Sequence, residues 1–153
     1  MNSQLAKNTK VLIVDDQALA KGYMKYSLEE LGFSDITYVD KINSALTSLR
    51  SHKFDLIICS YNLKREQDGY YFYDEIKTNG ELPLSTAFVF ISADTNSDLV
   101  QSIIELQPDD FLAKPFTVKD LDRRLSRVLA RKKALHGVYL CIDKNQYVQA
   151  LSE

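Results

Sequence analysis

Cysteine is scarce in this chain, and its placement excludes the usual uses of the residue. The two present, Cys59 and Cys141, lie far apart and neither has a CxxC partner, so neither a structural zinc site nor a disulfide framework is indicated. Cys59 ends the apolar run Leu56 to Cys59, the setting of a buried, inert thiol. No apolar run reaches the roughly 18 to 20 residues that a membrane helix needs. Met1 to Asn8 also lacks the apolar core of a secretory signal, so a cytoplasmic protein with no membrane role is expected. Neither sign of charge dominates: a formal net charge of −2 leaves no basic excess for nucleic acid. A glycine-rich phosphate loop is missing as well, because Asp15-Asp16-Gln17 follows the first apolar run where GxGxxG would be needed. What is left, 153 residues of which 45% are hydrophobic and 26% charged, is ordinary globular usage and enough chain for one good core.

Val11-Leu12-Ile13-Val14 is continuous, rich in β-branched residues and ends at two aspartates, which predicts a strand buried on both faces. From Gln17 the period changes. Leu19, Tyr23, Met24, Ser27, Leu28 and Leu31 recur at helical spacing, and Gly32 follows where a left-handed cap would end a helix. The alternation then repeats, with strands at Ile36 to Val39, Leu56 to Cys59, Ala87 to Ile91 and around Phe111-Leu112. Helices are expected over Ile42 to Leu49, with Ala45 and Leu49 on one face, and from about Tyr70 to Thr78, stopped by Asn79-Gly80. Asp94-Thr95-Asn96 can cap a helix to about Leu106, and Val118, Leu121, Leu125 and Val128 mark the inner face of a long last helix. Strand-then-helix units repeated in this way give a parallel sheet with helices on both faces, an open α/β sandwich. Ligands of such folds bind outside the carboxyl ends of the strands. Asp15, Asp16, Ser60, Ser92 and Lys114 all fall at those ends and should converge.

These strand ends carry a resemblance. Leu12-Ile13-Val14-Asp15-Asp16, Phe54-Asp55-Leu56-Ile57-Ile58, Asp68-Gly69, Ile91-Ser92-Ala93 and Lys114-Pro115-Phe116, in this order and at these spacings, make the stretch from Lys10 to about Lys133 resemble a receiver domain of a bacterial two-component response regulator. The resemblance implies a doubly wound, five-stranded parallel sheet of the flavodoxin-like kind, strand order 2-1-3-4-5. It implies a role in phosphorelay signal transduction and no enzymatic activity of its own. In that family the third strand ends in an aspartate that takes a phosphoryl group from a histidine kinase, and two acidic residues after the first strand hold magnesium. Asp15 and Asp16 match the acidic pair, and the backbone carbonyl of Asn62 matches the third metal ligand. Ser92, with Ala93 beside it, matches the hydroxyl that meets the phosphoryl oxygen. Lys114 matches the lysine that pairs with the acceptor, Phe111 the aromatic whose rotamer follows phosphorylation, and Pro115 the proline of a cis bond. Partners are then a histidine kinase and an output or repeat domain, engaged through the fourth helix, fifth strand and last helix, a face that also allows a homodimer.

Ser60 is the departure, because it stands at the acceptor position. A hydroxyl carries no charge near neutral pH, is a poor nucleophile without an adjacent base, and would form a stable ester in place of a labile acyl phosphate. His52 and His136 both lie outside the constellation. Without the carboxylate a hard cation loses one of its few charged ligands, so magnesium should bind weakly or not at all. Lys114, its partner gone, is expected to pair with Asp15 or Asp16. The chain is thus expected to be a pseudo-receiver acting through phosphorylation-independent contacts. Two rivals stand beside it: a receiver still phosphorylated at Ser60 or a neighbouring residue, and a small-molecule sensor using the strand-end pocket.

The loop Leu63-Lys64-Arg65-Glu66-Gln67-Asp68-Gly69 lacks the family's proline and is about one residue longer than its commonest form, as in receivers that precede helical repeats. The organisation expected is a flexible segment over 1–9, a receiver-like domain over 10–133 and a helical extension over 134–153. Leu135, Val138, Tyr139, Tyr147, Ala150 and Leu151 in that extension could begin a tetratricopeptide-like pair, which would make the chain the front of a longer protein. Arg123, Arg124, Arg127, Arg131, Lys132 and Lys133 form a basic stripe, read as a solvated helix face or, failing that, a surface for an acidic protein.

Overall fold

Apolar runs with no polar face must be covered on both sides, and this decides the architecture. The computed structural model describes residues 1–65, 67–94, 96–138 and 142. Its strands are β1 (Lys10–Val14), β2 (Asp35–Val39), β3 (Leu56–Ser60), β4 (Ala87–Ser92) and β5 (Asp110–Ala113). They form one sheet of order β2-β1-β3-β4-β5 in which every neighbouring pair is parallel. Its helices are α1 (Ser3–Lys7), α2 (Ala18–Glu30), α3 (Ile42–Ser51), α4 (Asp68–Thr78), α5 (Ser97–Leu106) and α6 (Val118–Ala134). The expected doubly wound sheet and its strand order are therefore present. Alternate residues of each strand feed two cores. Val11, Ile13, Leu56, Ile58, Val89 and Leu112 pack with α1, α2 and α6, whereas Leu12, Val14, Ile57, Cys59, Phe88 and Phe90 pack with α3, α4 and α5. The second core is aromatic, with Phe88 touching Phe72, Tyr73 and Phe90 at centroid distances of 6.2, 4.5 and 5.0 Å.

Helix ends follow local chemistry. Gly32 takes φ +100° after α2, as its sequence position predicts. Asn96 caps α5 by accepting from the Asp98 N–H at 2.8 Å. α6 begins with a capping box in which Thr117 Oγ1 accepts from the Asp120 N–H and Asp120 Oδ2 from the Thr117 N–H.

Two expectations need correction. Residues 1–9 are not a flexible lead: Asn2 Oδ1 accepts from the N–H groups of Gln4 and Leu5 to start α1, Ala6 is fully buried, and the Met1 amino group meets Asp122 Oδ1 at 2.8 Å. Leu19 and Tyr23 do not belong to the inner face of α2. Met24, Ser27 and Leu28 fill it, and Leu19 stands 92% exposed on the flank. The basic stripe of α6 is a solvated face, as read, with Arg127 and Arg131 still 68% and 55% exposed, and several of its members also pair within the molecule. Arg124 and Arg127 reach Asp110 at 2.9 and 3.4 Å, and Arg131 and Lys132 reach Asp109 at 3.4 and 3.2 Å, because β5 starts directly beneath that helix. Of the C-terminal extension, Leu135 and Val138 are exposed, while Tyr139, Cys141, Tyr147, Ala150 and Leu151 lie outside the described residues. No helix among the described residues is long and apolar enough to cross a membrane.

Truncating Phe88 to Ala in the aromatic core should cost about 3–5 kcal/mol, read by urea unfolding. Thr117→Ala should cost about 1 kcal/mol by the same measurement. The Thr117 backbone N–H, and after it the Thr117 hydroxyl, hold the Asp120 carboxyl below its ordinary range. A carboxyl depressed in the folded state stabilises above its unfolded pKa of about 3.9 and loses that contribution as pH falls through the folded value. Asp120→Asn should accordingly lower stability at neutral pH, where the charged carboxyl contributes, and flatten the acid limb of the stability–pH profile below that point, so that the two proteins converge in acid.

Candidate functional site

The order β2-β1-β3 reverses the winding at β1, so the crevice lies where β1 and β3 leave the sheet side by side. Pairing of Val14 with Cys59 brings Asp15 and Ser60 out together. Pairing of Ser60 with Ile91 and of Ser92 with Ala113 sets Ser92 and Lys114 along the same edge, where the Lys114 N–H donates to the Ser92 carbonyl at 2.8 Å. The Lys114-Pro115 bond is cis.

Asp15, Ser60, Ser92 and Lys114 at this edge each have an internal partner. Asp15, 7% exposed, accepts from the Gln17 N–H through Oδ1 at 3.0 Å and faces the Lys114 ammonium through Oδ2 at 3.4 Å. That is the pairing expected of a lysine without an acceptor carboxylate. Asp16 is half-buried next to it. Ser60 Oγ donates to the Asn62 carbonyl at 2.8 Å, the oxygen that sequence matching assigned to a metal. Asn62 Oδ1 in turn accepts from the Gln67 N–H at 2.8 Å. Ser92 Oγ donates to the Asp94 carbonyl and accepts from the Asp94 N–H, both at 3.1 Å, closing its own small turn. Among the described residues no three His, Cys, Asp or Glu side chains gather as a metal-binding group.

The loop after β3 is held against the strand end by backbone contact. The Gly69 N–H donates to the Tyr61 carbonyl at 2.9 Å, and a Cβ on Gly69 would run into the Ser60 carbonyl oxygen. Gln67, with φ +66°, makes the turn that allows this approach. Phe111 is partly buried and packs against the aromatic core of α3, α4 and α5. Ala93 is exposed at the rim of a cavity of about 490 Å3 that also meets Asp15, Lys114, Pro115 and Phe116.

Chemically the edge offers a charge-neutralised carboxylate and two engaged hydroxyls. Cys59, adjacent to Ser60, is no nucleophile: burial, and secondarily Asp15, push its thiol pKa far up, and Sγ donates to the Ser60 carbonyl. His52 packs beside Phe54, and His136 lines a hollow with Asp55 and Thr9, both at the opposite end of the sheet. Neither can serve Ser60 as a base. Sequence reasoning missed Tyr23, whose hydroxyl donates to the Phe116 carbonyl at 2.7 Å and walls the cavity from α2. An aromatic at the flank of an amphipathic stripe was the one available signal.

Residues 11–126 match the response regulator receiver domain family. The probable chemotaxis protein CheY of Rhizobium etli is 30% identical over 129 residues, covering 84% of this chain and 98% of that protein. Chemotaxis protein CheY-3 of Vibrio cholerae is 28% identical over 131 residues, 86% of this chain and 99% of that one. Among solved structures, the signal receiver domain of a putative LuxO repressor protein from Vibrio parahaemolyticus matches with TM-score 0.74 at 25% identity, covering 85% of this chain and 96% of that chain. A CheY-like receiver domain from Methylobacillus flagellatus matches with TM-score 0.66 at 29% identity, covering 78% and 98%. Sheet order, strand-end chemistry and these relatives agree, and the chain belongs to the response regulator receiver domains, the CheY-like modules of two-component signalling.

Proposed function

We propose that this receiver signals by protein contact and without an aspartyl phosphate. The observation that carries the reading is Ser60: it closes β3, the strand whose end bears the phosphoacceptor in the family, and its hydroxyl is spent on the Asn62 carbonyl at 2.8 Å. An attacking hydroxyl needs a base within hydrogen-bond reach. Here the partner of Ser60 is an acceptor with no basicity, and both histidines are at the far end of the sheet. Lys114 is engaged with Asp15, and Ser92 with Asp94, so the two groups a phosphoryl would recruit are already committed. The protein in this reading is not an enzyme, and the Asp15–Lys114 pair holds the edge in one arrangement.

Contact with a histidine kinase, or with an output or repeat domain, is assigned to the face of α5, β5 and α6. Two features support that face. Ile104 on α5 is 60% exposed. Beside it the paired charges of Asp109, Asp110, Arg124, Arg127 and Arg131 can exchange partners with a second protein or a second copy at little cost, since exposed ion pairs contribute only about 0–1 kcal/mol each.

Incubation with a small phosphodonor and magnesium, followed by intact-mass measurement, tests the reading. Wild type is expected to keep its mass, while Ser60→Asp gains one phosphoryl group. A stoichiometric phosphoryl gain by wild type would favour the rival in which Ser60 or a neighbouring carboxylate accepts it.

A further inference from the structure

Two acidic residues at a strand end need a cation, and in this family the resemblance implies magnesium. The residues present do not fit that ion. Magnesium demands near-octahedral oxygen coordination and gives up its water reluctantly, so it requires carboxylates and carbonyls that are free to turn toward it. Of the oxygens at this edge, Asp15 Oδ1 is held by the Gln17 N–H, Asp15 Oδ2 faces the Lys114 ammonium, and the Asn62 carbonyl is capped by Ser60 Oγ. Ser60 brings no charge. A divalent ion entering here would break three interactions, sit beside an ammonium of like sign and keep only Asp16 as an uncommitted carboxylate.

We propose that Lys114 is the built-in cation of this site: its ammonium lies against Asp15 and offsets one of the two negative charges of the acidic pair, the Ser60 hydroxyl seals the remaining carbonyl, and the folded protein therefore takes up no divalent metal. The lysine lies on the turn after β5, ninety-nine residues from Asp15, so the pair also ties the far strand end to the first one. The inference rests on reading Ser60 as the altered acceptor position, but it makes a separate demand, on stability and metal uptake in place of phosphorylation.

The test compares wild type with Lys114→Met, which keeps the stem and removes the charge. In metal-free buffer Lys114→Met should melt below wild type. Millimolar magnesium should recover most of that loss in the variant and leave wild-type Tm where sodium chloride of matched ionic strength leaves it. Titration with manganese, followed by water proton relaxation, should show uptake by the variant and none by wild type. Wild type that binds manganese, or a Lys114→Met protein that magnesium does not restore, overturns the proposal. If the variant fails to fold without metal, recovery of its folded circular dichroism in magnesium supports the proposal, and failure in both buffers overturns it. The phosphodonor experiment fails independently: a wild type that binds manganese yet gains no phosphoryl mass would sink the built-in cation and leave the contact-signalling reading standing.

Discussion

A parallel sheet covered on both faces has to end all of its strands along one edge, and the site depends on that constraint. Right-handed crossovers bring the chain back to the same side before each new strand, so every carboxyl end emerges together. Within β1 and β3 a polar side chain has no place, because Val11 to Val14 and Leu56 to Cys59 are buried whichever way they point. Polar residues can begin only where the strand leaves the core. Asp15, Ser60, Ser92 and Lys114 all stand at that boundary, and the strand registers fix how far apart they lie.

Partial burial at the same boundary makes unpaired groups costly, and this explains why Asp15, Ser60, Ser92 and Lys114 are all partnered. In a receiver with an acceptor carboxylate, charge and counter-charge would be shared among metal, aspartates and lysine. Here the balance is met locally: Ser60 turns to a carbonyl two residues on, Lys114 reaches across to Asp15, and Ser92 folds back on Asp94. The sheet does not depend on which residue ends β3, since the main chain of that strand makes its ladder bonds whatever its last side chain.

Much of this was legible in the sequence, for identifiable reasons. Continuous apolar runs announce buried strands, Gly32 and Asn96 announce helix ends, the strand-end motifs carry family resemblance strong enough to give strand order, and the uncharged Ser60 pointed Lys114 to Asp15 or Asp16, of which the structure shows Asp15. What escaped depended on distance or brevity. Five residues of α1 are too few to show a helical period, and their burial hangs on a single alanine and its neighbours. The pairing of the solvated basic residues of α6 escaped notice because Asp109 and Asp110 precede them on a different element. Leu19 and Tyr23 kept the helical spacing of a core face while lying on its flank, a rotation that spacing alone does not resolve.

The loop between β3 and α4 is fastened at both ends: Asn62 Oδ1 grips the Gln67 N–H, and Gly69 is pressed to the backbone of Ser60 and Tyr61. Between those two clasps Leu63 packs against the aromatic core, and Gln67 turns the chain with a left-handed φ. Length variation there is insulated from the strand end. An added or deleted residue alters mainly loop closure, which changes by only about 0.6 kcal/mol for each doubling of length. The segment is therefore open to evolutionary drift in length and sequence, while the glycine that anchors it is not.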